Sequence, residues 1–277
     1  MGIRKRDLGL ILDNLKKISI NKENALIFAV NGIEFQHDYI QKVAKKKGFK
    51  LADIKKIKYD NVTQFGNTLH QETLFKLLGF KNVESIDYSD YEGANIIHNL
   101  NNLIPKNLYN KYTYIGDFGT TEHVFNTFQV LKNIALLLKE GGIAVHLLPV
   151  IRFVNHGYYS FSPRTFFDFY STNGFEILTS KLLIEKSKLL TRKSRFYYIN
   201  YNHYTDNNLL NSITDTTQIL FVAKKTKSVK NIVAPSEDNF YNINGYTPDT
   251  YKTDLLSKLQ RKLKQIQFNS YKKRIYI

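Results

Sequence analysis

Short, continuously apolar runs alternate with amphipathic stretches along most of the chain. The first run, residues 25–30, has no polar alternation and is closed by Asn31-Gly32, which is typical of a strand buried on both faces of a parallel sheet. Similar runs predict six more strands, at 83–87, 95–98, 112–117, 143–148, from 175, and at 218–223.

Helices are predicted between these strands from apolar positions that recur at helical spacing. The predicted helices cover residues 1–17, 39–47, 68–78, 121–139, 163–173 and 250–266. Ser162 and Pro163 give the fifth of them a cap and a proline first turn. The alternation predicts an α/β protein with a doubly wound, mostly parallel, seven-stranded Rossmann-like sheet, whose ligands bind beyond the carboxyl ends of the strands.

The pattern divides the chain into a helix over residues 1–20, a domain over 21–226 and a basic extension over 227–277. Residues 36–62 and 187–215 are predicted to be insertions in the domain. Asp7, Asp13 and Asn14 interrupt the N-terminal helix, so it does not resemble a signal peptide or a membrane span, and a cytoplasmic location is expected.

Composition restricts the chemistry. The chain has no cysteine, which excludes disulfides, thiolate metal sites and a cysteine nucleophile, and leaves His, Asp, Glu and Asn as metal ligands. Its net charge of +16 suits a nucleotide-linked or phosphorylated substrate as well as a polyanion. No RNA-binding aromatic motif accompanies the lysines, so nucleic acid is not the expected partner, although a nucleic-acid methyltransferase stays as an alternative.

Several motifs resemble those of class I S-adenosylmethionine-dependent methyltransferases. Residues 139–142, Lys-Glu-Gly-Gly, precede a predicted strand, and residues 173–177, Asn-Gly-Phe-Glu-Ile, follow a predicted helix, as in the second half of that family. In the family, the second turn leads into an antiparallel strand pair. The stretches 85–94, 117–126 and 156–163 are similar to methyltransferases of bacterial surface-glycan and nucleotide-sugar pathways. The resemblance covers residues 25–226.

This resemblance implies S-adenosylmethionine as cofactor and O-methylation of a sugar hydroxyl in a nucleotide-linked, capsular or surface-glycan precursor. The implied partner is a small-molecule sugar or nucleotide sugar, with self-association in a homo-oligomer left open. One departure is the loop after the first strand, where the family has several glycines and this chain has only Gly32. A non-catalytic binding or scaffold protein is therefore an alternative.

The resemblance also implies which residues bind the cofactor. Asp87, at the end of the second strand, matches the acid that accepts hydrogen bonds from both ribose hydroxyls, although Asp90 competes with it and a solvated turn is the alternative. The other predicted contacts are Asn31, Gly32, Asn99 and Asp117.

The catalytic candidates are Asp117, His123 and His156, because strand ends of a doubly wound sheet converge at one crevice. A histidine there could act as the general base for a sugar hydroxyl. Alternatively, the three side chains could hold Fe(II), Mn(II) or Zn(II), since two histidines and a carboxylate suit these ions. The alternatives are purely structural: a capping or core role for His123 and a loop hydrogen bond for His156.

Glu122, Tyr158 and Tyr159 are the predicted substrate contacts, with the tyrosine rings stacking on a sugar face or a base. Packing of the two rings on the core is the alternative. His146 lies within a predicted buried strand and is given no functional role.

Overall fold

The computed structural model describes residues 2–60, 68–186, 195–202, 205, 207–229, 231–236 and 273–275. Its strands are β1 (Gly2–Ile3), β2 (Asn24–Phe28), β3 (Gly32–Ile33), β4 (Tyr59–Asp60), β5 (Thr68–Leu69), β6 (Asn82–Asp87), β7 (Ile96–Ile97), β8 (Tyr112–Asp117), β9 (Leu138–Ile151), β10 (Phe175–Lys186), β11 (Arg195–Asn200), β12 (Thr216–Lys225) and β13 (Lys273–Ile275). Its α-helices are α1 (Lys5–Lys17), α2 (His37–Lys47), α3 (Gln71–Leu77), α4 (Thr127–Leu137), α5 (Pro163–Thr172) and α6 (Asn207–Asn211).

Nine of the described strands form one sheet in the order β13-β11-β10-β12-β9-β8-β2-β6-β7. The five strands from β7 to β9 are parallel, which confirms the predicted α/β, doubly wound, mostly parallel sheet. The chain moves from β2 outward to β6 and β7 and then returns to β8 on the other side. The switch point, where such sheets bind ligands, therefore lies between β2 and β8.

All seven predicted strands are present, as β2, β6, β7, β8, β9, β10 and β12. The last of them, β12, runs antiparallel to both of its neighbours, β9 and β10. This is the antiparallel pair that the turn at residues 173–177 led us to expect.

The main sheet has nine described strands where seven were predicted, and the two additional ones are β11 and β13. β11 pairs with the long β10 and falls inside the segment predicted to be an insertion at 187–215, and β13 continues the sheet from the basic extension. The residues of β11 do not alternate clearly between apolar and polar, and β13 has only three residues, so neither strand was recognised from sequence. The predicted helix over 250–266 lies outside the described residues.

Hydrophobic cores cover both faces of the sheet, and alternate residues of β2 enter different ones. Leu26 and Phe28 pack with α4 and α5, whereas Ala25 and Ile27 pack with α1, α2 and α3. Because successive side chains of a strand point to opposite faces, a strand buried on both faces must be apolar throughout. Among the described helices, none combines the length and apolarity needed to cross a bilayer.

The predicted helix over 121–139 is divided in the structure. Residues Thr121–His123 form a single 3-10 turn, and α4 begins only after Asn126, whose side chain accepts a hydrogen bond from Gln129 N at 3.2 Å. Since asparagine is a strong N-cap, it starts the helix late and leaves residues 121–126 as a loop at the end of β8. This loop carries two of the predicted site residues.

Candidate functional site

The loop after β2 makes a sharp turn without a glycine at its first position. Ala29 has a φ of 58°, in the left-handed region that L-residues with a Cβ rarely adopt. Its backbone N–H donates to Ile86 O at 2.8 Å, and Gln71 Nε2 donates to Ala29 O at 3.1 Å. Both bonds hold a conformation that glycine would adopt without strain.

The predicted cofactor contacts Asn31 and Gly32 lie next to the N-terminal strand β1. Gly32 pairs with Gly2 in a short parallel ladder. Asn31 is 3% exposed, and its side chain donates to Phe28 O at 2.9 Å. Its backbone N–H donates to Gln71 Oε1 at 2.9 Å. In this structure these two residues shape the loop, and a cofactor contact by them stays a prediction.

Asp87 is placed at the carboxyl end of β6, facing the same loop. Its Oδ1 accepts from Tyr88 N at 2.6 Å, and its Oδ2 accepts weakly from Val30 N at 3.4 Å. A carboxylate has about four acceptor positions, so this half-buried group keeps free acceptor positions for the two hydroxyls of a vicinal diol. The competing acid Asp90 is exposed beyond the strand end. The chemistry of Asp87 thus fits a ribose.

The side chain of Asn99 stabilises the turn in which it lies. Its side-chain oxygen accepts from the backbone N–H and the side-chain amide of Asn101, both at 3.0 Å. Such local bonds are typical of asparagine in turns. This turn accounts for the residue, and its predicted cofactor contact stays a prediction.

Asp117 is fully buried and saturated by hydrogen bonds. Thr121 Oγ1 donates to its Oδ2 at 2.6 Å, and the backbone N–H groups of Thr120 and Thr121 donate to its Oδ1 at 3.1 and 3.3 Å. His146 Nδ1 also lies 2.8 Å from Oδ2, because strand pairing places these two residues side by side. The sequence predicted Asp117 beside His123 and His156, but its carboxylate is engaged with His146 instead.

The other nitrogen of His146, Nε2, lies 2.6 Å from the hydroxyl of Tyr170 on α5. Burial, helped by the charge of Asp117, raises the pKa of Tyr170, so the phenol stays protonated and is able to donate a hydrogen bond to Nε2. The opposite nitrogen, Nδ1, then carries the proton that is donated to Asp117. Asp117, His146 and Tyr170 form one buried chain of hydrogen bonds, which we call the buried relay.

His123 and His156 do meet, and the acid beside them is Glu122. The two imidazole centroids are 5.0 Å apart, and one ligand atom from each of Glu122, His123 and His156 lies within 4.8 Å of the others. Glu122 Oε1 is 3.6 Å from His156 Nε2 and 3.9 Å from His123 Nε2. The predicted set of Asp117 with two histidines is thus corrected to Glu122 with the same two histidines, which we call the acid–imidazole cluster.

Electrostatics keep this cluster close to neutral. Burial, together with nearby Asp117, raises the pKa of Glu122 to about 8. Burial also lowers the pKa of both histidines, and the proximity of His156 adds to the effect on His123. Among the described residues, neither carboxylate oxygen of Glu122 has a hydrogen-bond partner, although its side chain is fully buried. Unpaired buried polar atoms of this kind are rare in folded proteins.

Close backbone packing brings the loop after β9 against the loop after β8. Tyr158 N donates to Glu122 O at 2.8 Å. A Cβ on Gly157 would lie 2.8 Å from Glu122 O and 3.1 Å from His123 Nδ1, so only glycine fits there.

Exposed aromatic rings border the cluster. Phe125 is 68% exposed and Tyr158 is 66% exposed, with their rings 5.5 Å apart and nearly perpendicular. Tyr159 donates its hydroxyl hydrogen to Phe125 O at 2.8 Å, which fixes the edge of this surface. Tyr158 is thus exposed beside the cluster together with Phe125, whereas Tyr159 packs partly against the core, and substrate contacts by the two tyrosines stay predictions.

Four residues of this region were not predicted from sequence: Gln71, Phe125, His146 and Tyr170. Phe125 fell inside the predicted helix over 121–139, and the capping asparagine that follows it, Asn126, was the signal for a loop. No local pattern marks Gln71 or Tyr170, because their partners are far away along the chain.

Comparisons with known proteins return structural neighbours only. No protein-family model matches the sequence, and no curated protein sequence matches it significantly. A SAM-dependent methyltransferase from Archaeoglobus fulgidus is 13% identical, with a TM-score of 0.42, covering 80% of this chain and 94% of its own. A SAM-dependent methyltransferase from Aquifex aeolicus is 9% identical, with a TM-score of 0.40, covering 79% and 89%.

The branched-chain polyamine synthase from Thermus thermophilus, in complex with N4-aminopropylspermidine and 5'-methylthioadenosine, is 12% identical with a TM-score of 0.36 and covers 84% of this chain and 58% of its own. Similarities at this level carry no argument about activity. The fold described above rests on the strand order of the chain itself.

Proposed function

We propose that this protein is an S-adenosylmethionine-dependent O-methyltransferase acting on a sugar hydroxyl. The observation that carries the proposal is the position of Asp87. It presents a half-buried carboxylate at the end of β6, beside the switch point of a doubly wound sheet and against the loop after β2. A carboxylate with spare acceptor positions suits the two hydroxyls of a ribose.

S-adenosylmethionine, when bound, supplies an electrophilic methyl group and is left as S-adenosylhomocysteine once the sulfur has taken back the electron pair of the broken S–CH₃ bond. The chain has to align the acceptor oxygen with that methyl group, and such positioning supplies much of the acceleration. It also has to remove the proton of the hydroxyl, which is a poor nucleophile at neutral pH.

The acid–imidazole cluster is our candidate for handling this proton, with His123 or His156 touching the acceptor. Both histidines lie at this edge of the sheet, His123 in the loop after β8, which borders the switch point, and His156 in the loop after the neighbouring strand β9. The exposed rings of Phe125 and Tyr158 beside them offer apolar faces on which a sugar ring could stack. A nucleotide-linked sugar also suits the net charge of +16.

Asp87 and Asp90 provide a matched test of the cofactor proposal. We expect S-adenosylmethionine to raise the melting temperature of the wild-type protein, because a ligand of the native state stabilises it. Asp87→Asn removes the charged acceptor and should weaken cofactor binding at least tenfold, since hydrogen bonds to charged groups contribute about 1.5–3 kcal/mol. Asp90→Asn should bind as the wild type does.

An unchanged melting temperature of the wild-type protein at millimolar cofactor would support the non-catalytic alternative. Transfer of a labelled methyl group to a panel of nucleotide sugars then tests the acceptor class. Labelling of oligonucleotides but not of sugars would favour a nucleic-acid methyltransferase, whose binding should weaken steeply with salt.

A further inference from the structure

We propose that Glu122, His123 and His156 form a binding site for a divalent transition-metal ion such as Zn²⁺ or Fe²⁺. The first argument is the state of the Glu122 carboxylate. It is fully buried, and neither of its oxygens has a hydrogen-bond partner in the part of the chain that the structure describes. An ionised carboxylate in that position is strongly destabilising unless a cation or several donors compensate it.

The distances form the second argument. Glu122 Oε1 lies 3.6 Å from His156 Nε2 and 3.9 Å from His123 Nε2, which is too far for hydrogen bonds. Two ligands at about 2.0–2.1 Å from one ion and at tetrahedral angles are separated by about 3.3 Å. The two carboxylate–imidazole distances exceed this separation by only about 0.3 and 0.6 Å, and all three ligand atoms lie within 4.8 Å of one another.

His156 supplies the third argument. Its Nε2 is buried and lacks a hydrogen-bond partner, and it is the atom directed at Glu122. Two atoms that both normally require partners therefore face one small space. Imidazole nitrogen and carboxylate oxygen together form a ligand set that zinc and ferrous iron favour.

The surrounding backbone holds the three ligands in place. Glu122 and His123 lie on the 3-10 turn that follows β8, while His156 lies on the loop after β9. The hydrogen bond from Tyr158 N to Glu122 O joins the two loops, and the lack of a side chain at Gly157 allows their close approach. Asp117 is not available to this site, because its oxygens are occupied within the buried relay.

His123 is 43% exposed and His156 is 31% exposed, so the site opens toward solvent on the imidazole side. With three protein ligands, an ion keeps at least one position for water or a substrate oxygen. A coordinated hydroxyl loses its proton more easily, which would assist methyl transfer. That role rests on the proposed function, whereas metal binding itself does not.

The test uses the full-length protein, stripped with a chelator and titrated with Zn²⁺ or Co²⁺. We expect one ion per chain by elemental analysis, and Co²⁺ absorption bands in the visible range that are typical of low coordination number. Glu122→Gln keeps the shape of the side chain and His156→Ala removes one ligand, so each should weaken binding at least tenfold. His37→Ala, a histidine at the start of α2 and outside the cluster, should bind as the wild type does.

Far-UV circular dichroism verifies that each variant is folded, and the wild-type titration gives an answer without any variant. Absence of one-to-one binding by the wild-type protein at micromolar ion would overturn the proposal. Equal affinity in wild type, Glu122→Gln and His156→Ala would also overturn it, by showing that the ion binds elsewhere. Stabilisation of the chelator-treated protein by S-adenosylmethionine is measured separately, so failure of the metal site and failure of the cofactor site are distinguished.

Discussion

Replacing Asp117 by asparagine should destabilise the protein by about 3–5 kcal/mol, the range expected when a buried, hydrogen-bonded charge is lost. Every neighbour of this carboxylate is a donor. Oδ1 accepts two backbone N–H groups, and Oδ2 accepts the hydroxyl of Thr121 and Nδ1–H of His146. An asparagine amide therefore directs its NH₂ group at donors in either orientation.

The magnitude follows from counting those bonds. In the orientation that keeps the two backbone bonds, the bonds of 2.6 and 2.8 Å at Oδ2 are lost or reversed. Hydrogen bonds to a charged group contribute about 1.5–3 kcal/mol each, so two of them account for the expected range. Reversing the His146 tautomer would make Nδ1 an acceptor for the new amide, but Tyr170 would then have to turn its hydroxyl hydrogen away from Nε2, and the charge of the carboxylate would still be lost.

Urea unfolding followed by far-UV circular dichroism measures this change, and the melting temperature should fall by about 10 °C. Asp13→Asn is the matched control, since Asp13 pairs with Lys47 at 2.7 Å but is 40% exposed. Exposed ion pairs contribute about 0–1 kcal/mol, so this variant should be close to wild type. A free energy of unfolding for Asp117→Asn within about 1 kcal/mol of wild type would refute the buried relay.

Three further predictions concern packing and titration. Gly157→Ala should destabilise by about 1–3 kcal/mol and weaken metal binding, because its Cβ would overlap the backbone oxygen of Glu122. Lys225→Met should destabilise by about 2–4 kcal/mol, since its ammonium donates to two buried carbonyl oxygens near the end of α4 at 2.7 and 2.8 Å. The stabilising contribution of His70 should be lost at low pH. Its Nδ1 accepts a hydrogen bond at the start of α3, and burial lowers its pKa below the usual 6.5. The contribution is therefore fully present above pH 6.5 and is lost as the pH falls through the folded-state pKa.

Each of these has a control in the same chain. Gly9→Ala, in the interior of α1 with only a flexible lysine nearby, should stabilise by about 0.5–1 kcal/mol, so equal effects at Gly9 and Gly157 would contradict the packing argument. Lys224→Met should change the free energy of unfolding little. Equal effects of Lys224→Met and Lys225→Met would show that the buried hydrogen bonds of Lys225 are unimportant. His70→Asn retains a cap without a titrating ring, so its free energy of unfolding relative to wild type should change between pH 8 and pH 5. A difference that stays constant over this range would contradict the link between His70 protonation and stability.

The sequence by itself determined the sheet and its order of elements. Apolar runs predicted seven strands, and the turn at residues 173–177 indicated the antiparallel pair of β10 and β12. These features are local, because a strand buried on both faces must be apolar throughout and glycine ends helices where left-handed backbone is required. The convergence of His123 and His156 also followed from sequence, since both come directly after neighbouring parallel strands.

Only the tertiary structure decided which acid joins the two histidines. Asp117 and Glu122 lie five positions apart at the end of one strand, so both are equally plausible from sequence. The register of β8 with β9 places Asp117 against His146, and the 3-10 turn directs Glu122 toward the imidazoles. Hydrogen-bond partners from distant segments set these choices, and hydrophobic periodicity does not encode them.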